Sequence, residues 1–292
     1  IVLTRVAERW GLVDRPGGRK QHLAPTPTIG GLVIYLVILT CMVFLNPEPK
    51  VVWMMAAVSV LVVTGVLDDA FGLGIKIRFG AQVLASCIMV FGSGLYLNKF
   101  GIGVDFLDSA PAWLGILFTV FALVGLTNGF NMVDGIDGLA AGHMLIGLTL
   151  VCTTMIFTSG YIPQIEWFAA LFAGIFIFFM VNVSLTPLRK VFLGDAGSML
   201  LGFVMGWTLI YCSQEPTAAI HPVAALWCVA LPVWDTVVVV VRRIKNRQSP
   251  FAPDRSHLHH MIIDTGISSK NALIFILSGA AIISTIGIVL SY

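Results

Sequence analysis

The chain has 292 residues, 58% of them hydrophobic and 11% charged, with a mean hydropathy of +0.94. A soluble domain carries roughly 25% charged residues, so this composition excludes an ordinary soluble protein and predicts one that crosses a membrane many times. The net charge of +2 says little about partners by itself, and no nucleic-acid partner is expected.

Stretches that suit a spanning helix of about 20 residues run in chain order near 28–45, 51–67, 79–97, 111–127, 139–157, 165–185, 197–212, 222–241 and 272–290, nine in all. They predict an all-α fold, a polytopic helical bundle forming one transmembrane domain over residues 1–292. The chain opens at Ile1 without an initiator Met and closes at Tyr292 directly after a span, so a fragment lacking a helix at one or both ends is expected. Cys41, Cys87, Cys152, Cys212 and Cys228 lie singly in or beside these spans without metal-ligand spacing, as inert packing residues do. No internal repeat or low-complexity tract interrupts the pattern.

Orientation follows from the basic residues, because short loops rich in Lys and Arg stay in the cytoplasm. With the N-terminal segment and every second loop on one side, that side holds fifteen of the seventeen Lys and Arg residues, and only Lys50 and Lys99 lie opposite. It is predicted to be cytoplasmic, with loops near 68–78, 128–138, 187–197 and 242–270. The polar motifs cluster on the same side. This predicts a site at a membrane surface, facing anionic headgroups or phosphates, and not a tunnel through the bilayer.

Asp68 and Asp69 end the second span, where the helix dipole disfavours carboxylates, so a cation is needed. Lys76 and Arg78 are one source; a metal ion, or a phosphate bridged by metal, is the other. Oxygen ligands of this kind suit Mg²⁺, which binds through one or two carboxylates plus substrate phosphates. The next cluster, Asn128, Gly129, Asn131, Asp134, Gly135, Asp137 and Gly138, ends the fourth span. Three-residue spacing steps about 60° backward around an α-helix, so the polar groups cannot share one face, and the glycines predict a helix break. Such a break gathers amides and carboxylates around a ligand, or is an ordinary Asn-, Asp- and Gly-rich turn.

Asp195 lies in the run Gly194–Ser198 that opens the seventh span, and is either an N-cap or a ligand. Arg189 and Lys190 fit a phosphate site and simple anchoring equally. In the long loop, Asp254-Arg255-Ser256-His257-Leu258-His259-His260 has no Cys nearby and lacks the usual zinc spacing. Arg255, His257, His259 and His260 are read as groups that grip a diphosphate, the alternative being a solvated histidine run. Asp235 stands seven residues before Arg242, about 10 Å inside the membrane at 1.5 Å per residue. An acid at that depth is a candidate for function or for a structural partnership.

Together, Asp68-Asp69, NGFNMVDGIDGL at 128–139, VFLGDAGS at 191–198 and SPFAPDRSHLHH at 249–260 resemble the polyprenyl-phosphate N-acetylhexosamine-1-phosphate transferases. The likeness extends to Gly11-Leu12-Val13-Asp14 and Thr26–Gly31 and so covers nearly the whole chain. Within the family it is greatest to the bacterial branch that uses undecaprenyl phosphate and UDP-N-acetylglucosamine. The resemblance implies transfer of N-acetylglucosamine 1-phosphate between these two, releasing UMP and initiating a surface polysaccharide of O-antigen, common-antigen or teichoic-acid type. It also implies further spans in a full-length protein and a multi-pass location in the bacterial cytoplasmic membrane, among lipids, with the active site facing the cytoplasm. A homodimer is compatible with it.

By the same resemblance, Asn131 and Asp195, with Asp68, would hold Mg²⁺, Mn²⁺ being an alternative. Asp68, Asp69 and Asp195 would be catalytic, and Lys76 and Arg78 would bind the acceptor phosphate. Asn128, Asp134, Asp137, Arg255, His257, His259 and His260 would bind the nucleotide sugar. The histidines are not three in a row as in the peptidoglycan-precursor branch, which argues against a muramoyl-pentapeptide donor; another UDP-N-acetylhexosamine suits the same chemistry. A secondary transporter is the competing class, since buried acids also mark ion routes. Only Asp235 lies deep, however, and no repeat is visible.

Overall fold

The structure, a computed structural model, describes residues 7, 9–14, 25–101, 111–214, 219–249 and 257–292. Two short strands, β1 (Val13–Asp14) and β2 (Thr26–Pro27), precede α1 (Gly30–Leu45), α2 (Pro49–Phe71), α3 (Ile75–Ser93), α4 (Ala112–Val133), α5 (Leu139–Ser159) and α6 (Ile165–Asn182). They are followed by α7 (Gly194–Gln214), α8 (Pro222–Trp227), α9 (Ala230–Lys245), α10 (Leu258–Asp264) and α11 (Ser269–Val289). The all-α expectation holds apart from the antiparallel β1–β2 pair, with Val13 opposite Pro27 and Asp14 opposite Thr26.

Among the described residues seven helices, α2 to α7 and α11, are long and apolar enough to cross a membrane, and α1 is a shorter apolar helix. The nine predicted spans therefore need correction at two places: the first, 28–45, is the shorter helix α1, and the eighth is divided. Residues 222–241 form two helices, because α8 stops at Trp227 and α9 begins at Ala230. Pro232 has no N–H, and its ring crowds the carbonyl four residues back, that of Cys228. The N–H groups of Cys228 and Val229 turn instead to the carbonyls of Ala225 and Leu226, both at 3.2 Å.

α7 is the axis of the bundle, since every residue from Ala196 to Ser213 is buried. A helix that is covered all round belongs to the centre of a large helical assembly, and α1, α2, α4 and α5 pack against it. Val43, Phe44, Phe91, Phe121 and Phe157 point outward from the surrounding helices, where a bilayer would receive them. The start of α7 is fixed most tightly. A Cβ on Gly31 would lie 2.1 Å from the backbone N of Gly197, and one on Gly65 would lie 2.3 Å from Cα of Ala196. Backbone thus meets backbone, the small-residue mode of packing in membranes. The start of α1 and the stretch before it are laced to the stretch before α7: Gly30 and Gly31 N–H donate to the carbonyls of Phe192 and Leu193 at 2.9 Å, and Phe192 N–H donates to the Pro27 carbonyl at 2.8 Å.

This approach leaves no room for a methyl group. Gly65→Ala should destabilise the purified protein by about 1–3 kcal/mol, the range for overpacking. Gly80→Ala, where an added Cβ meets nothing within 4 Å, should be neutral or mildly stabilising. Thermal unfolding in detergent compares the two, and equal melting temperatures would contradict the packing account.

Candidate active site at one end of the bundle

The end of α2, the end of α4, the start of α7 and the short helix α10 meet on one side of the bundle, and most of the predicted site residues among the described ones gather there. Asp69 sits in the last turn of α2, where its own helix dipole repels it. Its carboxylate accepts the N–H of Asp195 at 3.0 Å and of Ala196 at 3.4 Å, and so occupies the positive end of α7. The capping role considered for Asp195 belongs to Asp69. Asp68, which is 7% exposed, accepts the N–H of Leu73 at 2.6 Å through Oδ1 and pairs through Oδ2 with Nη1 of Arg78 at 3.1 Å. Each acid that seemed to require a metal thus has an internal partner, and Lys76 stays exposed on the first turn of α3.

With its N–H bound by Asp69, Asp195 is left to use its side chain. Asn131 Nδ2 donates to Asp195 Oδ1 at 2.6 Å and to Ser198 Oγ at 2.9 Å. The helix break predicted over 128–138 comes later than expected, because α4 runs unbroken to Val133. Asn128 therefore lies on the helix, and its Nδ2 donates to Gln82 Oε1 at 2.6 Å and to the Val124 carbonyl at 2.8 Å. That amide fastens α3 to α4.

The turn itself occupies residues 134–138 and is held by Asn182, which is 4% exposed. Asn182 Oδ1 accepts the Gly138 N–H at 2.6 Å, and its Nδ2 donates to the Val191 carbonyl at 2.8 Å. Asp137 forms an ion pair with Lys190, whose ammonium also lies 5.0 Å from the centre of the Phe192 ring. Burial, then the charges of Asp195, Asp137 and Asp69, push the Asp134 carboxyl up to about 8. Five acids converge, and Arg78 and Lys190 are the two cations bonded to them among the described residues.

Asp235, read from its depth as a candidate for function or for a structural partnership, has a partner: the histidine segment comes to it. His257 Nδ1 lies 2.8 Å from Asp235 Oδ2, and Leu258 N–H donates to Oδ1 at 2.9 Å. His259 is 2% exposed and lies against the turn at Gly135, where a Cβ would come 1.9 Å from its Nε2. Burial, then His260 and His257, lower its pKa to about 4, so it meets a ligand as a neutral imidazole and not as a cation. The His260 ring lies against His259, tilted by 43° with ring centres 4.2 Å apart. Arg255, with Asp254, lies outside the described residues.

Sequence reasoning missed Gln82, Asn182, Ser198 and His143. The first two are lone amides in apolar runs, a signal that a buried hydrogen bond is needed. His143, one turn into α5 and 4% exposed, lies within electrostatic range of Asp235. Nothing in its local sequence sets it apart.

Fold and site together define a multi-pass membrane protein with a carboxylate-rich site at one end of its bundle. The sequence model described as "Glycosyl transferase family 4" matches residues 51–213, which span α2 to α7, the helices that carry most of these acids. The chain belongs to glycosyl transferase family 4. It is 37% identical over 292 residues to the undecaprenyl-phosphate alpha-N-acetylglucosaminyl 1-phosphate transferase of Escherichia coli (strain K12), an alignment covering 99% of this chain and 79% of that protein. The enzymes of the same name from Yersinia pestis and Haemophilus influenzae are 36% and 34% identical over 291 residues, each match covering 99% of this chain and, respectively, 80% and 82% of the relative.

Asp134 gives a pH signature. Its carboxyl has an unfolded-state pKa near 3.9 and is raised in the folded protein to about 8. The stability from proton binding is complete below about pH 4 and is lost as pH rises through the folded value. Asp134→Asn cannot titrate, so in chelator its melting temperature should gain on that of the wild type between about pH 5 and 9. A difference that stays flat with pH would contradict the burial of this acid among like charges.

Proposed function

We propose that the chain transfers N-acetylglucosamine 1-phosphate from UDP-N-acetylglucosamine to undecaprenyl phosphate, releasing UMP. The observation that carries this reading is the gathering of Asp68, Asp69, Asp134, Asp137 and Asp195 at one end of an apolar bundle, on a chain 37% identical to transferases named for that chemistry. A water-soluble nucleotide sugar and a lipid phosphate can meet only at a membrane boundary. The excess of Lys and Arg in the loops on the site's side supports a cytoplasmic-facing site in the bacterial cytoplasmic membrane.

The acceptor needs little activation. A phosphate monoester has a second pKa near 6 and is largely a dianion at neutral pH, so its oxygen attacks the phosphorus that carries the sugar while the bond to the UMP oxygen breaks. Catalysis is then mostly positioning and charge neutralisation. Asn131 and Asp195, with Asp68, are the residues that would hold a divalent cation, Mg²⁺ or Mn²⁺. The donor set fits: all its groups offer oxygen, and the surrounding acids outnumber their bonded cations. Among the described residues no three His, Cys, Asp or Glu side chains form a cage, so these side chains would need phosphates and water to complete the shell of such an ion. When bound, the cation neutralises phosphate charge. Lys76 and Arg78 supply positive charge toward the acceptor phosphate, and the neutral His259 and the Asp134 carboxyl offer hydrogen bonds to the donor. A transport route is disfavoured, because polar groups would have to line the axis that α7 fills with buried side chains.

UMP release by purified protein tests the reading. It should require both UDP-N-acetylglucosamine and undecaprenyl phosphate, stop in EDTA and return with Mg²⁺ or Mn²⁺. Asp195→Asn should fold normally, because Asp69 provides the cap, yet turn over at least about a hundredfold more slowly, on the scale of losing one electrostatic stabiliser. Release that is independent of the lipid phosphate, or undiminished in chelator or in the variant, would count against it.

A further inference from the structure

We propose that Asp235 is a positioning residue for the donor: it sets the tautomer of His257 and docks the histidine segment against the turn that follows α4. This rests on the transferase reading and assigns the residue through which the segment is held in place.

One carboxylate spends both oxygens on two consecutive residues, His257 at 2.8 Å and the backbone of Leu258 at 2.9 Å. A carboxylate can only accept, so the hydrogen of His257 is on Nδ1 and the opposite nitrogen is left for other work. Asp235 is itself anchored. Its neighbour Thr236 faces α4 at Gly129, where an added Cβ would be 3.1 Å from the threonine hydroxyl, two residues from Asn131. The short helix α10 has a second hold through Leu258 and Ile262, which pack with Val133, Leu139, Leu273 and Ile276. Loss of the carboxylate would therefore loosen the segment without releasing it.

The far end of this chain of contacts points to a ligand. His257 and His259 lie parallel, with ring centres 6.0 Å apart and planes 11° apart. His259 Nε2 is buried against Gly135 and has no hydrogen-bond partner among the described residues. A buried nitrogen left unsatisfied is costly, and a phosphate or sugar hydroxyl of the donor would satisfy it. His143 and His259 also lie within electrostatic range of Asp235. The carboxylate therefore faces three imidazoles from two parts of the chain, bonded to His257 and within electrostatic range of His259 in the same segment and of His143 in α5. Its two oxygens are taken by His257 and the Leu258 backbone, which makes its role positional.

UMP release by the purified full chain, with each substrate varied in turn, decides the matter. Asp235→Asn keeps an oxygen for Leu258 but presents an amide hydrogen to His257, favouring the other tautomer. The KM for UDP-N-acetylglucosamine should rise at least about tenfold, as for a lost hydrogen bond to a charged group, while the KM for undecaprenyl phosphate moves less than about twofold. His257→Gln should do the same, the double variant should be no worse than either single one, and Asp235→Glu should recover part of the loss. A merely structural role would lower the melting temperature without separating the two KM values. If Asp235→Asn does not fold, His257→Gln decides by the same criterion. An unchanged donor KM in His257→Gln or in folded Asp235→Asn, or additive losses in the double variant, would overturn the proposal. A wild type unable to use UDP-N-acetylglucosamine at all would overturn the proposed function instead.

Discussion

The Asp69 carboxylate bound across the first N–H groups of α7 is the interaction on which the site depends. Two antiparallel helices meet there with opposite ends, the negative end of α2 and the positive end of α7. An acid that its own helix disfavours is thereby stabilised by its neighbour. The contact also fixes the axial helix at the one point where α1 and α2 touch it backbone to backbone. Asp195 is consequently relieved of capping and turned toward Asn131, and the geometry of the acid cluster follows.

That cluster is an arrangement a soluble surface would not need. Water screens crowded carboxylates, whereas an apolar bundle does not, so Asp68 takes Arg78, Asp137 takes Lys190 and Asp134 keeps a proton. The charge left over is what two phosphorylated substrates and a cation would be expected to complement. The amides of Gln82, Asn128 and Asn182 hold the framework around it. They give α3, α4 and α6 directional contacts that lipid-facing hydrophobic surfaces cannot provide.

Much of this was legible in the residues alone. Hydropathy placed most of the helices, since a continuous apolar run has few other fates, and charge asymmetry put the acids at one end. Hydropathy failed at 222–241 because Pro232 breaks a helix without making it less apolar. The turn after α4 was expected too early, since Asn128 and Gly129 look like turn residues until Gln82 and Thr236 are found packed against them. Asp69 and Asp195 could not be told apart as cap and ligand, because the N–H groups in question belong to a helix more than a hundred residues away in sequence. The tie between Asp235 and the histidines was hidden for the same reason. Partners across a bundle leave no local spacing.

The central claim is that Asp69 anchors the axial helix, and the most direct measurement is the unfolding stability of two variants at this position. Asparagine caps helices about as well as aspartate, whereas alanine cannot cap, with a typical loss of about 1 kcal/mol and a range of about 0.5–2. The account predicts that Asp69→Asn unfolds close to the wild type and that Asp69→Ala is destabilised by about that amount. An alanine variant as stable as the asparagine variant would contradict it.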